Sequence, residues 1–315
     1  MSNTYSYGQP PARSLSRVAQ TGPAPATNFR VRLLSAVNSM PPMPNALSRL
    51  LGMLNDENCS AGQIAQVIES DSVLSGSVLR CVNSAYYGLP GRVSAVRQAV
   101  TLLGFSTVRN LALAFSMRRM ISRNQPSPER YAAYSRHALG VAIMTQFLAH
   151  FTRARDPEAA FAAGLFHDIG RLLILSNAEE AVPEILRVWE EGDGDLERAE
   201  REVLEVTHAE LSASILEGWR LPESVQVAVR YHHHPDDAPS VEDPSDSANN
   251  GPSLAALTHA ADLAVNFEGI QTLTAPSHPP ESPASALAAV GCGSDTDQIL
   301  EQFRTEFGSL QGVFQ

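Results

Sequence analysis

The sequence predicts an all-α fold, and three observations predict it. Apolar residues recur at spacings of three and four along most of the chain, helix-start and helix-stop residues punctuate those runs, and no segment alternates apolar and polar residues as a half-buried strand would. At 315 residues, 43% of them hydrophobic, the chain is long enough for one large or two modest cores without a disulfide or structural metal to hold them.

Residues 1–30 are rich in Ser, Pro, Ala and Gly and lack the apolar periodicity that would offset their ordering entropy, so they read as a disordered tail. Helical spacing begins at Val31 with Leu33, Leu34 and Val37. It resumes after the Met40-Pro41-Pro42-Met43-Pro44 break with Leu47, Leu50, Leu51 and Leu54, which predicts two helices joined by a proline turn. Ser60 and Gln63 form a capping-box pattern ahead of an apolar face of Ile64, Val67 and Ile68. Leu74, Val78, Cys81 and Val82 make a further stripe, and Val96, Ala99, Val100 and Leu103 make another that Gly104 stops. Between those stripes, Asn83-Ser84-Ala85-Tyr86-Tyr87-Gly88-Leu89-Pro90 marks a helix end and a loop. One tyrosine is expected to pack on the bundle and the other to cover it, ahead of any role as a contact surface.

The second half continues the pattern. Helices are predicted over residues 138–151, 159–175, 182–191, 208–219, 224–233 and 254–267. The acidic stretch 235–252, rich in Asp, Pro, Ser and Asn, reads as a long solvated loop. A second break, 275–285, sets off a C-terminal segment in which Ile299, Leu300 and Phe303 suggest one last helix. The organisation expected is a tail over 1–30, an N-terminal helical subdomain over 31–125, a second helical subdomain over 126–270, and a linker with a C-terminal helix over 271–315.

Composition narrows the function. A net charge of −11 works against nonspecific attraction to nucleic acid or anionic membrane, both of which are polyanions. Arg118, Arg119 and Arg123 alone do not make a basic stripe, so neither partner is expected. All 23 basic residues are Arg, which excludes Schiff-base and lysine general-base mechanisms. The three cysteines, Cys59, Cys81 and Cys292, are an odd number in separated places and suit reduced thiols in the cytoplasm. No apolar run of signal-peptide length opens the chain, and no stretch is read as long enough to cross a bilayer.

Five of the nine histidines, with two aspartates, form a constellation: His137, His167-Asp168, His208, His232-His233 and Asp262. They fall on five predicted helices or helix ends. Imidazole and carboxylate are usual ligands of zinc, iron or manganese, and a helical bundle gathers such ligands by projecting one or two from each helix. Asp168 follows the apolar run Phe161-Ala162-Ala163-Gly164-Leu165-Phe166, where an unpaired charge is costly unless a cation or hydrogen bonds compensate it. His150, His234, His259 and His278 read as ordinary histidines, with His259 one turn before Asp262 and able to orient that carboxylate.

Gly164-Leu165-Phe166-His167-Asp168-Ile169-Gly170-Arg171 resembles the core motif of HD-superfamily phosphohydrolases, in which the His-Asp pair binds metal. By that resemblance the minimal ligand pattern falls on His137, His167, Asp168 and Asp262, and the further histidines of binuclear members on His208, His232 and His233. Met40-Pro41-Pro42-Met43-Pro44, Asp71, Asn83-Ser84-Ala85-Tyr86-Tyr87-Gly88, Leu102-Leu103-Gly104 and Trp219-Arg220-Leu221-Pro222 resemble HDOD domains more narrowly, over about residues 40–267. The resemblance implies an N-terminal helical bundle packed on an HD-like helical subdomain, in bacterial signalling proteins generally regarded as lacking hydrolase activity.

The expected function is therefore regulatory, through contacts with signalling protein partners or a small phosphorylated ligand, with a divalent metal (Mn, Fe or Zn), mono- or binuclear, as the implied cofactor. The alternative is a metal-dependent phosphohydrolase, with His137, His167, Asp168 and Asp262 around one ion, His208, His232 and His233 around a second, and Asp168 between them. Arg171 would then hold a phosphate, although many HD enzymes carry Lys there. His234-Pro235-Asp236-Asp237-Ala238-Pro239 lacks the Gly-Tyr-Pro signature associated with cyclic di-GMP hydrolysis.

Overall fold

The computed structural model describes residues 28–40, 42–53, 59–121, 128–154, 157–192, 194–239, 251–273 and 282–314. Residues 1–27 of the tail expected over 1–30, Leu54, Arg123, His278 and most of the two predicted breaks lie outside them, while Asn28, Phe29 and Arg30 of that expected tail belong to the start of the first helix. Among the described residues there are sixteen α-helices, three short 3-10 turns and no strand, as the periodicity predicts.

The first six helices are α1 (Phe29–Asn38), α2 (Asn45–Gly52), α3 (Ala61–Glu69), α4 (Ser72–Val82), α5 (Val96–Leu103) and α6 (Phe105–Ile121). Helix α1 starts before the predicted Val31, because the Asn28 side chain accepts from the Val31 N–H and caps it. The Ser60–Gln63 capping box forms on α3, and Asp71 caps α4 by accepting from Val73 and Leu74 N–H. Gly104, at a φ of +83°, ends α5 in a conformation that favours glycine. Helix α6 follows at once and is the axis of the N-terminal bundle, packing on α2, α3, α4 and α5. It was not among the predicted helices. Residues 108–117 are buried, so no polar face is left to give α6 a period.

The remaining helices are α7 (Pro128–Phe151), α8 (Pro157–Phe166), α9 (Ile169–Asn177), α10 (Val182–Glu191), α11 (Leu196–Leu204), α12 (His208–Gly218), α13 (Glu223–Arg230), α14 (Leu254–Phe267), α15 (Ala284–Ala289) and α16 (Thr296–Phe314). Three expectations change here. The single helix predicted over 159–175 is two, α8 and α9, broken where His167 and Asp168 turn inward. The 157–177 run is long and apolar enough by length and composition to cross a membrane, contrary to the sequence reading, but 78% of its most apolar 18-residue stretch is buried inside the fold, as a core element is. Helix α1, expected in the N-terminal subdomain, packs instead on α9 and α12 of the second, and Arg32 pairs with Glu180 there.

Two glycines permit the close approaches that set the site. A Cβ at Gly164 would stand 2.7 Å from Ala142 Cα and Thr145 Oγ1, so only glycine lets α8 lie this close to α7. A Cβ at Gly170 would collide with the His208 carbonyl and stand 2.9 Å from Leu211 Cβ and the Ser212 nitrogen. Gly170 N–H also donates to Ser212 Oγ at 2.8 Å, which pins the start of α9 on α12. The halves are joined by buried Arg109 of α6, which pairs with Glu158 of α8, and by α16, which packs on both α7 and α4. Tyr86 and Tyr87 meet edge-on, with ring centroids 4.8 Å apart, and both pack against the core.

Candidate metal centre

His137 projects from the middle of α7, His167 and Asp168 from the α8–α9 break, His208 from the first turn of α12, and Asp262 from α14. His232 and His233 lie just past the end of α13, in the turn rather than on the helix predicted to carry them. The fold brings all seven to one place. Asp168 stands at the middle. Its Oδ2 lies 3.6 Å from His137 Nε2 and 3.5 Å from His167 Nε2. Its Oδ1 lies 3.2 Å from His208 Nε2 and 3.8 Å from His232 Nε2. Asp262 Oδ1 closes one end, 3.1 Å from His137 Nε2, and His233 Nε2 closes the other, 3.0 Å from His208 Nε2.

The outer nitrogens explain the inner ones. His137, His167 and His232 donate Nδ1–H to the carbonyls of Ile270, Gly164 and Val229 at 2.7, 2.8 and 2.7 Å, and His208 donates Nδ1–H to Glu200 Oε2 at 2.6 Å. In the neutral ring each Nε2 is then an acceptor turned toward the two aspartates. His137 and His167 set Nε2 against Nε2 at 3.2 Å, an arrangement of lone pairs that a shared proton or a cation must relieve. Two ligands on one ion at about 2.1 Å are separated by roughly 3.0–3.4 Å for right-angled to tetrahedral geometry, which the His137–Asp262, His208–Asp168, His137–His167 and His208–His233 spacings match, the other Asp168 spacings being wider. Both Asp168 oxygens and His232 Nε2 are buried without an aligned hydrogen bond. The residues therefore fit a divalent metal, in two outer donor groups, His137, His167 and Asp262 at one end and His208, His232 and His233 at the other, joined by a third, His167, Asp168 and His232, that overlaps both.

Protonation follows the same geometry. Burial opposes charge on His208, but the Glu200 carboxylate overrides it and raises the imidazole to about 9. Burial likewise opposes charge on His137, where the hydrogen bond and charge of Asp262 raise it. Burial lowers His167, and lowers His232 to about 3 with help from the neighbouring His167 and His208. Asp168 is held well below the usual carboxylate range despite its burial, by Arg171, His167 and His208.

Arg171 enters from α9. Its Nε stands 2.9 Å from Asp168 Oδ2 as an ion pair, Nη1 donates to Thr272 Oγ1 at 2.9 Å, and Nη2 lies 3.4 Å from His208 Nε2. Sequence reasoning missed Glu200, Thr272 and Ser212. Glu200 left a signal: it falls among Leu196, Ala199 and Val203, an acid on an apolar stripe. His259 does not orient Asp262; its Nδ1 donates to the His232 carbonyl at 2.8 Å, and Asn266 donates to Asp262 instead. His150 and His234 are exposed and stand apart.

Residues 40–235, more than half of the chain, match the family model of the HDOD domain. The chain belongs to the HDOD family. An HDOD domain protein from Geobacter sulfurreducens superposes with a TM-score of 0.70 over 90% of this chain and 95% of that one, at 20% identity. A candidate signal transduction protein from Marinobacter aquaeolei VT8 superposes with a TM-score of 0.68 over 90% of this chain and 65% of that one, at 23% identity. At those identities the likeness is one of fold. An uncharacterized protein of Treponema pallidum (strain Nichols) is 23% identical over 218 residues, 68% of this chain and 41% of that protein. The matched segment spans less than half the length of the curated relatives. The family match ends at residue 235, so Asp262 and the 268–273 segment complete the HDOD site from beyond the matched region.

Proposed function

We propose that this HDOD protein is a regulatory protein in the cytoplasm whose HD-type centre holds a divalent metal as a fixed internal node, without hydrolysing a phosphoester, and signals through contacts of its helical surface with protein partners. The observation that supports it is a donor set that is complete and nearly closed. His137, His167, Asp168, His208, His232 and Asp262 are each 5% exposed or less, the Arg171 side chain, the nearest cation, is 11% exposed, and of the seven donors only His233 is part-buried rather than buried. Structural metal sites are closed, whereas catalytic ones keep a coordination position open to substrate. Manganese, iron and zinc all suit a nitrogen and oxygen donor set.

The second reading, a metal-dependent phosphohydrolase, is favoured by the two donor groups on either side of Asp168. When bound, the metal would supply Lewis acidity toward a phosphoryl oxygen. Within the chain, the histidines and aspartates would bind, Glu200 and the Gly164, Val229 and Ile270 carbonyls would orient the imidazoles, and Arg171 would hold a phosphate oxygen.

Elemental analysis of untagged protein purified without chelator, paired with a phosphomonoester and phosphodiester screen, separates the readings. The regulatory reading expects near-stoichiometric metal and no turnover. Turnover abolished by His167→Ala would replace it with the hydrolase. No metal after reconstitution with manganese, iron or zinc would remove the basis of both.

A further inference from the structure

Resting on the metal-binding reading above, we propose that the Arg171 guanidinium is a resident cation that holds the centre to one metal ion per chain, and that residues 268–273 act as a strap deciding whether a second ion can enter. The two donor groups are not equivalent toward Arg171. Its Nε pairs with Asp168 Oδ2, the oxygen turned toward His137 and His167, while its Nη2 reaches past to His208, 3.4 Å from the Nε2 a metal would need, so among the described residues the second group has one of its own histidines against the guanidinium and the first does not. Among the described residues, Asp262 of the first group is met by His137 and Asn266 and forms no salt bridge to an arginine. A divalent ion among His208, His232 and His233 would therefore share Asp168 with a guanidinium in a dry site, where like charges repel strongly.

Arg171 is held in place from outside the centre. Thr272 Oγ1 accepts from Nη1 at 2.9 Å, and two residues earlier the Ile270 carbonyl accepts from His137 Nδ1 at 2.7 Å. Glu268, at the start of the same strap, takes both Nε and Nη2 of Arg304 on α16, at 2.6 and 2.7 Å. Six residues thus connect a ligand of the first ion, the cation guarding the second, and a helix that packs on both halves of the protein. A partner that shifted α16 would pull on Thr272 and free the guanidinium, and a second ion would in turn favour the shifted strap, because such coupling is reciprocal.

The test is titration of Mn2+ into the chelator-stripped full chain by calorimetry, with elemental analysis after desalting, for the wild type, Arg171→Gln and Thr272→Val. The wild type should retain one ion, and Arg171→Gln should retain two, its second site tightened by about a hundredfold or more as the like charge is removed. Thr272→Val removes one hydrogen bond and should tighten the second site by about tenfold. Two ions of comparable affinity in the wild type, or one ion in Arg171→Gln, would overturn the proposal while leaving metal binding intact. Binding in none of the three would overturn metal binding itself. Should Arg171→Gln not fold, Thr272→Val carries the test, and an unchanged second site there overturns the strap.

Discussion

Glu200 Oε2 accepts both the backbone N–H and the Nδ1–H of His208, at 2.7 and 2.6 Å, so one buried carboxylate fixes both the start of α12 and the ring that α12 carries. Removing it leaves two buried donors without an acceptor and the raised imidazole without its counter-charge. Breaking such a pair from one side costs about 3–5 kcal/mol. Glu200→Ala should lose about that much in urea denaturation of metal-free protein. Glu200→Gln, whose amide oxygen can still accept one of the two bonds, should lose less. A Glu200→Ala variant within about 1 kcal/mol of wild type would show that the pair contributes no more than an ordinary surface contact.

Gly170 sits where α9 meets α12, with the His208 carbonyl in the path of any Cβ. Gly170→Ala must push the helices apart, a forced overpacking that costs about 1–3 kcal/mol. It also moves Asp168 and Arg171 away from His208. The expected result is a lower denaturation midpoint together with reduced metal retention. Lowered stability with full metal retention would mean that the centre does not depend on this contact.

The variants above also show which parts of the fold were legible. Helices with one wet face, such as α10 and α14, were placed within the sequence to the residue, because a single apolar stripe sets their period. Helix α6 was not, since residues buried on nearly all sides have no period to read. The first ten residues of α7 were missed because they precede its apolar stretch. Helix α11 is absent from the predicted helices although Leu196, Ala199 and Val203 give it a stripe. At the site, the seven donors were legible as residue types and by resemblance, but their meeting depended on Gly164 and Gly170, whose need for space is visible only once the helices are packed. His259 was assigned to Asp262 by its one-turn spacing. The unpaired carbonyl of His232, just beyond the end of α13, captured its ring instead.

Glu306 of α16 gives a pH dependence away from the metal centre. Burial raises its carboxyl above the ordinary 4.5, against the hydrogen bond from Tyr86, and Tyr87 is its other titratable neighbour. A folded pKa above the unfolded one means the fold favours the protonated acid. That contribution is complete below about pH 4.5 and is lost as pH rises through the folded value. Glu306→Gln mimics the protonated form, so it should raise the melting temperature at pH 7 to 8 and leave it nearly unchanged near pH 4. A variant destabilised at neutral pH would mean that the Glu306 carboxylate, not its acid form, secures α16 to the Tyr86–Tyr87 loop.

Metal binding should register as stability. An ion that binds only the folded chain adds about 2.7 kcal/mol when free metal is a hundred times its dissociation constant. For a chain of this size each kcal/mol moves the midpoint by roughly 1.5–2 °C. Saturating Mn2+ should therefore raise the melting temperature of stripped protein by about 5 °C, and chelator should reverse it. The gain should vanish in the His167→Ala, Asp168→Ala double variant, which removes one ligand of the first donor group and the carboxylate common to both. The double variant also separates this effect from nonspecific binding at the many exposed carboxylates of a chain with a net charge of −11, since those acids remain. An equal Mn2+ shift in wild type and double variant would assign the stabilisation to the acidic surface and leave the buried cluster compensated by Arg171 and its own protons.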